Sequence, residues 1–210
     1  MNNDIDQVVQ RTRQYWFSDG IVELSVGSLF LLLGIYFYLQ STLSPGSLLL
    51  ISFQIGFTFL LIGGTIISRY LVNKFKSRLT TPRTGYVSYK RTKKKQRIVF
   101  IVIICLIAVI TAALFLTTPL SMNWVPAFTG LIVGSIWLAS ALRVGLFRFY
   151  LHSILAYLLG VILFLTNLEI YRSLALFYGV LGCVMILSGG FTLTNYLREH
   201  PTIEEEPQTR

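Results

Sequence analysis

Residues 21–39 read IVELSVGSLFLLLGIYFYL, an unbroken apolar run whose single charge, Glu23, stands near its start. A bilayer core about 30 Å thick needs roughly 20 such residues in helical form to cross it. Five further runs of this kind follow, at residues 47–68, 98–117, 124–142, 149–165 and 173–197. The whole chain is 54% hydrophobic and only 13% charged, about half the charged share of soluble domains. A soluble protein so apolar would expose large greasy patches that do not stay dispersed in water. No stretch alternates with period two for long enough to suggest a membrane barrel. The expected fold is therefore all-α, a polytopic transmembrane bundle of six helices.

The connectors after the first, third and fifth runs are short: QSTLSPG, TPLSMN and TNLEIYR. Each is rich in turn formers or polar residues, so the runs pair into three tight helical hairpins. This divides the chain into a segment 1–20, a first hairpin 21–68 and a basic loop 69–97. A second hairpin at 98–142, a third at 149–197 and a tail 198–210 complete it. The opening MNNDIDQVVQRTRQYWFSDG carries Asp4, Asp6 and Asp19 and no apolar core, which is not the layout of a signal peptide. Coiled as a helix, it places Ile5, Val8, Val9, Thr12 and Trp16 on one face. That spacing predicts an amphipathic helix lying in the interface, anchored by Tyr15, Trp16 and Phe17.

Lysine and arginine set the orientation. Seventeen of the eighteen fall in the N-terminal segment, the 69–97 loop, the connector at 143–148 and the tail. Arg172 alone falls on the other side. Basic loops stay cytoplasmic, so both termini are expected inside, in the plasma membrane of a prokaryote.

Shifted against itself by 126 residues, the chain lays its first hairpin on its third, with fourteen identities in 43 positions. Gly34, Gly56, Gly63 and Gly64 meet Gly160, Gly182, Gly189 and Gly190, and Tyr70-Leu71 meets Tyr196-Leu197. A shift of 48 lays Gly134 on Gly182 and Ser140 on Ser188. These are parallel repeats, related by an axis along the membrane normal. Glycines at fixed depth let helices approach closely where lipid supplies no hydrophobic drive. Gly130 and Gly134, four apart, make another such face. Packing is the role expected of all ten glycines.

Residues 69–97 hold eleven positive charges and no acid. Thr81-Pro82-Arg83-Thr84-Gly85 reads as a turn, and Lys90, Arg91, Lys93, Lys94, Lys95 and Arg97 crowd the approach to the third run. Anionic lipid headgroups attract such a cluster by about 1 kcal/mol per charge, and they are its expected partner. A nucleic acid or nucleotide is set aside, since no phosphate-cradling glycine loop accompanies the charge. Glycine faces leave surface for homo-oligomerisation.

At TPRTGYVSYKR, after a first hairpin opening DGIVELSVGSLFLLLG, the chain resembles a set of small prokaryotic multi-pass membrane proteins with a TPRTGYV-type cytoplasmic loop. That resemblance implies no activity. The hairpins ending in Ser-Gly-Gly and Tyr-Leu-Arg are also loosely similar to HdeD-like membrane proteins, which have six short spans in hairpin pairs. The long basic loop departs from their pattern, and acid resistance is not carried over.

Little in the spans invites chemistry. Cys105 and Cys183 each sit mid-run and read as small core residues; no metal or other cofactor is expected, since no His or acid lies at ligand spacing. No paired carboxylates, HExxH or nucleophile–histidine frame appears. Ionisable groups within a span warrant suspicion. Glu23 lies less than one turn into the first span, within reach of headgroups, Arg11 or Arg13. Gln54, mid-way along the second, needs an amide partner from a neighbouring helix. His152, one turn after Arg148, is expected solvated at the cytoplasmic rim, and Glu169 and Asn195 lie near interfaces. The expectation is a non-enzymatic membrane protein with a structural, stress-related or interaction role. The alternative is a small transporter or channel component with Glu23 and Gln54 lining its path, which flux into proteoliposomes would reveal.

Overall fold

The computed structural model describes residues 14, 17–43, 48–75, 102, 109 and 122–199. Its architecture is all-helical, with no strand among the described residues. Helix α1 (Ile21–Thr42) starts where Asp19 turns back: its Oδ1 accepts the Ile21 N–H at 3.2 Å, satisfying one of the amides a helix start leaves orphaned. Gly20, at φ 69°, takes the left-handed turn a side chain would resist. Helix α2 (Leu48–Phe75) follows. After a 3-10 turn at Met122–Trp124 comes α3 (Val125–Val144), with Pro126 in its first turn, where its missing N–H costs nothing. Gly145, at φ 75°, closes α3, and only Leu146 separates it from α4 (Phe147–Leu165). Asn167, at φ 49°, turns the chain into α5 (Ile170–Glu199).

Among the described residues, four helical segments are long and apolar enough to cross a membrane: α1, α3 with its leading turn, α4 and α5. At 1.5 Å per residue, the 28-residue α2 and 30-residue α5 run to about 42 and 45 Å, longer than a bilayer core. The helices overrun the apolar runs. The run at 47–68 extends as helix to Phe75, and the run at 173–197 begins at Ile170 and reaches Glu199. Propensity and internal hydrogen bonding carry a helix past the end of its apolar stretch, so hydropathy underestimates length. The third run, 98–117, apart from residues 102 and 109, the basic loop after Phe75, the tail after Glu199 and most of the N-terminal segment lie outside the described residues.

Two antiparallel seams organise the bundle. Along the first, α1 lies against α5. A Cβ on Gly27 would stand 3.0 Å from Gly182 O, one on Gly34 2.7 Å from Gly179 N, and one on Gly189 2.8 Å from Gly20 O. Backbones meet here with no side chain between them. Along the second, α3 lies against α4, where a Cβ on Gly130 would stand 2.7 Å from Gly160 Cα. Ser153 Oγ there donates to Gly134 O at 2.8 Å. Gly134 itself faces the Tyr157 ring, whose hydroxyl meets Ser135 Oγ at 3.0 Å.

The buried core joins Trp137, Ala141 and Val144 of α3, Phe149, Ala156 and Leu163 of α4, and Phe177, Leu181 and Met185 of α5. Outside it, Phe59, Leu187 and Phe191 are each more than 70% exposed. Such an outward-facing apolar surface is intolerable in water and ordinary in lipid. Helix α2 touches the rest through α1, where Tyr36 stacks on Phe57 with centroids 3.6 Å apart.

Candidate functional site

The two seams converge at one end of the bundle, and polar side chains meet there. Glu23 is 1% exposed, in the first turn of α1, where the helix dipole favours a negative charge. The Nε of Arg148, in the first turn of α4, is paired with Glu23 Oε1. Arg148 Nη1 donates to Thr192 Oγ1 of α5 at 3.1 Å, and Nη2 donates to the Phe17 carbonyl. Both Nη atoms thereby hydrogen-bond within the protein, and Nε makes the ion-pair contact. The other carboxylate oxygen of Glu23 accepts from Ser188 Oγ at 3.3 Å, and Thr192 Oγ1 donates back to Ser188 O at 2.8 Å.

His152 completes the cluster one turn along α4. It is 2% exposed, packed edge-on against Trp137 at 5.3 Å between centroids. Its Nε2 lies 3.9 Å from Glu23 Oε2, too far for a hydrogen bond, and has no hydrogen-bond partner among the described residues. Asp19, fully buried, lies four residues before Glu23. One acid–base cluster thus ties three helices together, drawn from residues far apart in the chain.

The sequence marked Glu23 and missed its partner. Glu23 meets Arg148 of α4 rather than headgroups. His152, expected solvated at the rim, is buried, because α4 is turned with Arg148 and His152 toward α1 and α5. Their spacing of four was the available signal: it puts both on one helix face. Gln54 stands on an exposed part of α2, on a different helix from the cluster.

Gly34, Gly130, Gly134, Gly160, Gly182 and Gly189 all stand where an added Cβ would come within 3.0 Å of a neighbouring atom. Gly64 would meet Leu29 Cδ2 at 3.0 Å and Gly190 only Leu24 Cδ2 at 3.9 Å. Gly56 and Gly63 meet no described atom within 4 Å. Packing was expected of both, but they differ from their repeat partners because α2 presents that face away from α1. Lys90, Arg91, Lys93, Lys94, Lys95 and Arg97 lie outside the described residues.

Among the described residues the fold is all-helical, with four helices long and apolar enough to cross a membrane and an ion-paired cluster buried between three of them, which is the make-up of a helical membrane protein. Comparison with known proteins found no matching family model, no similar curated protein and no similar solved structure.

Proposed function

We propose that this chain is a multi-pass integral membrane protein of a prokaryotic plasma membrane, non-enzymatic, with a structural, stress-related or interaction role. In this reading six helices cross the bilayer as three hairpins, with both termini in the cytoplasm. The observation that carries it is the Glu23–Arg148 ion pair, held between three helices with further contacts to Thr192, the Phe17 carbonyl and Ser188. Buried charges satisfied in this way lock helices that lipid alone would leave loosely associated.

The cluster end also supports the orientation. It gathers the segment before α1, the α3–α4 link and the end of α5, three of the four basic segments, through Gln14–Gly145, Arg148–Phe17 and Arg148–Thr192 contacts. The opposite end holds Asn123 bonded to Asn167 at 2.8 Å and the exposed Glu169–Arg172 pair at 3.5 Å. The repeat finds support in the seams: shifts of 126 and 48 carry the Gly27–Gly182 contact onto the Ser153–Gly134 contact. Reporter fusions at Pro45, Met122 and Thr166 are expected to read external, and fusions at Arg83, Gly145 and Gln208 cytoplasmic. A single reversed loop sinks the six-span topology.

Anionic headgroups are the proposed partner of the basic loop, whose charges at 90–97 directly precede the third apolar run in sequence; such attraction reaches about a Debye length, about 8 Å at physiological salt. Replacing Lys93, Lys94 and Lys95 with alanine removes at most about 3 kcal/mol of surface attraction and leaves the protein inserted. The expected result is faster protease cleavage near Arg91 in anionic liposomes, with no change in neutral ones. Equal rates in anionic liposomes would favour a soluble partner instead.

A further inference from the structure

Arg148 holds two things at once. Its Nε grips Glu23, and its Nη2 grips the carbonyl of Phe17, in the segment just ahead of α1. Its described residues are tied down at several points. Gln14 Nε2 donates to Gly145 O at 3.4 Å, across the α3–α4 link. The Phe17 ring packs edge-on against Phe149, centroids 5.7 Å apart. Asp19 is fully buried and caps α1, and Gly20 sits against Gly189 of α5. Beneath it, Glu23 and His152 are 1% and 2% exposed, while the Arg148 side chain keeps 19% exposure.

We propose that Gln14 and residues 17–20 are a cover that closes the buried Glu23–His152 pair from cytoplasmic water, with Arg148 as its latch. The coupling is geometric. One guanidinium bonds the cover and the acid together, so lifting the Phe17 carbonyl away removes one of the contacts that hold Arg148 on Glu23. Opening the cover therefore loosens the pair and wets it in the same movement. His152 Nε2, buried without a hydrogen-bond partner among the described residues, is the group that water then reaches. Local openings of this kind need far less free energy than global unfolding, which lets a segment held by few contacts move while the core stays closed. The direction of opening rests on the cytoplasmic placement proposed above; the cover itself does not.

The test is thiol accessibility in the full chain, reconstituted in vesicles, with Cys105→Ser and Cys183→Ser as background. Ser188→Cys reports on the cluster, and Ala156→Cys, at a fully buried site on the α3–α4 seam, reports on the bundle. A membrane-impermeant methanethiosulfonate is applied to either face. With the cover intact, Ser188→Cys is expected to react slowly from both faces. Phe17→Ala is expected to raise its rate from the cytoplasmic face about tenfold or more, as loss of a packed ring weakens the closed state. Gln14→Ala, which leaves the packing in place, is expected to raise it less. Ala156→Cys should stay unreactive throughout. No acceleration in either variant, or an equal rise at Ala156→Cys, overturns the cover. Acceleration from the opposite face alone would leave the cover standing and overturn the topology.

Discussion

Replacing Glu23 with alanine is expected to destabilise the bundle by about 3–5 kcal/mol, the cost typical of breaking a buried ion pair from one side. The reason is what remains. Arg148 would keep Thr192 and the Phe17 carbonyl and lose the only carboxylate paired with it among the described residues. A largely buried cation, unneutralised, is the expensive object. Ser188 loses its acceptor in the same step. Reversible unfolding in mixed detergent micelles, followed by circular dichroism, measures the loss. The double variant Glu23→Leu with Arg148→Met should recover most of it, since removing both charges leaves no buried ion unsatisfied. A change below about 1 kcal/mol for Glu23→Ala would mean that the pair does not latch the helices. It would leave the accessibility experiment on the cover unaffected.

The second large effect is steric. A Cβ on Gly182 would lie 2.6 Å from Leu31 N and 2.9 Å from Gly27 O, and both are backbone atoms that cannot swing aside. Gly182→Leu therefore has to push α1 off α5. A cost of about 3 kcal/mol is expected, the upper part of the overpacking range, because the displaced helix also carries Glu23. Gly190→Ala is the matched control. Its nearest neighbour is Leu24 Cδ2 at 3.9 Å, ordinary contact, and alanine is the better helix former by about 1 kcal/mol. It is expected to be neutral or slightly stabilising in the same unfolding measurement. Equal losses in the two variants would show that the α1–α5 seam does not depend on bare backbone.

The contrast between Gly182 and Gly190 marks what can be read from sequence here. Apolar runs located α1, α3, α4 and α5 because a membrane helix has to satisfy every backbone group within itself and cover them with apolar side chains. That requirement is local, so it is visible in a window of residues. Facing direction is different. The surfaces of α4 and α5 are apolar toward lipid and toward protein alike, so hydropathy gives no phase to the helix. Glycine supplies part of it: Gly20, Gly27 and Gly34 recur every seven residues, as do Gly182 and Gly189, and the two rows run past each other in the structure. The cluster was half legible. Glu23 stood out as a charge inside an apolar run, but Arg148 looked like one more basic residue of a cytoplasmic connector. Only the packing of α1 and α4 against α5, with the first turns of α1 and α4 at the same end, makes it a partner. His152 was misplaced for the same reason.

The α1–α5 seam also bears on how the protein is made. Ser188, which completes the shell around Glu23, follows it by 165 residues. Translation at about 5–20 residues per second means that α1 enters the membrane on the order of ten seconds or more before α5 exists. Arg148 comes off the ribosome earlier than Ser188, but still long after Glu23. During that interval the carboxylate lacks Ser188, and the glycine face of α1 lacks the α5 backbone that it lies against. Helix α1, made before the other described helices, is thus among the last of them to be settled. Assembly waits on the end of the chain, and a truncation within α5 would strand an acidic helix in the bilayer for the membrane's quality-control proteases to find.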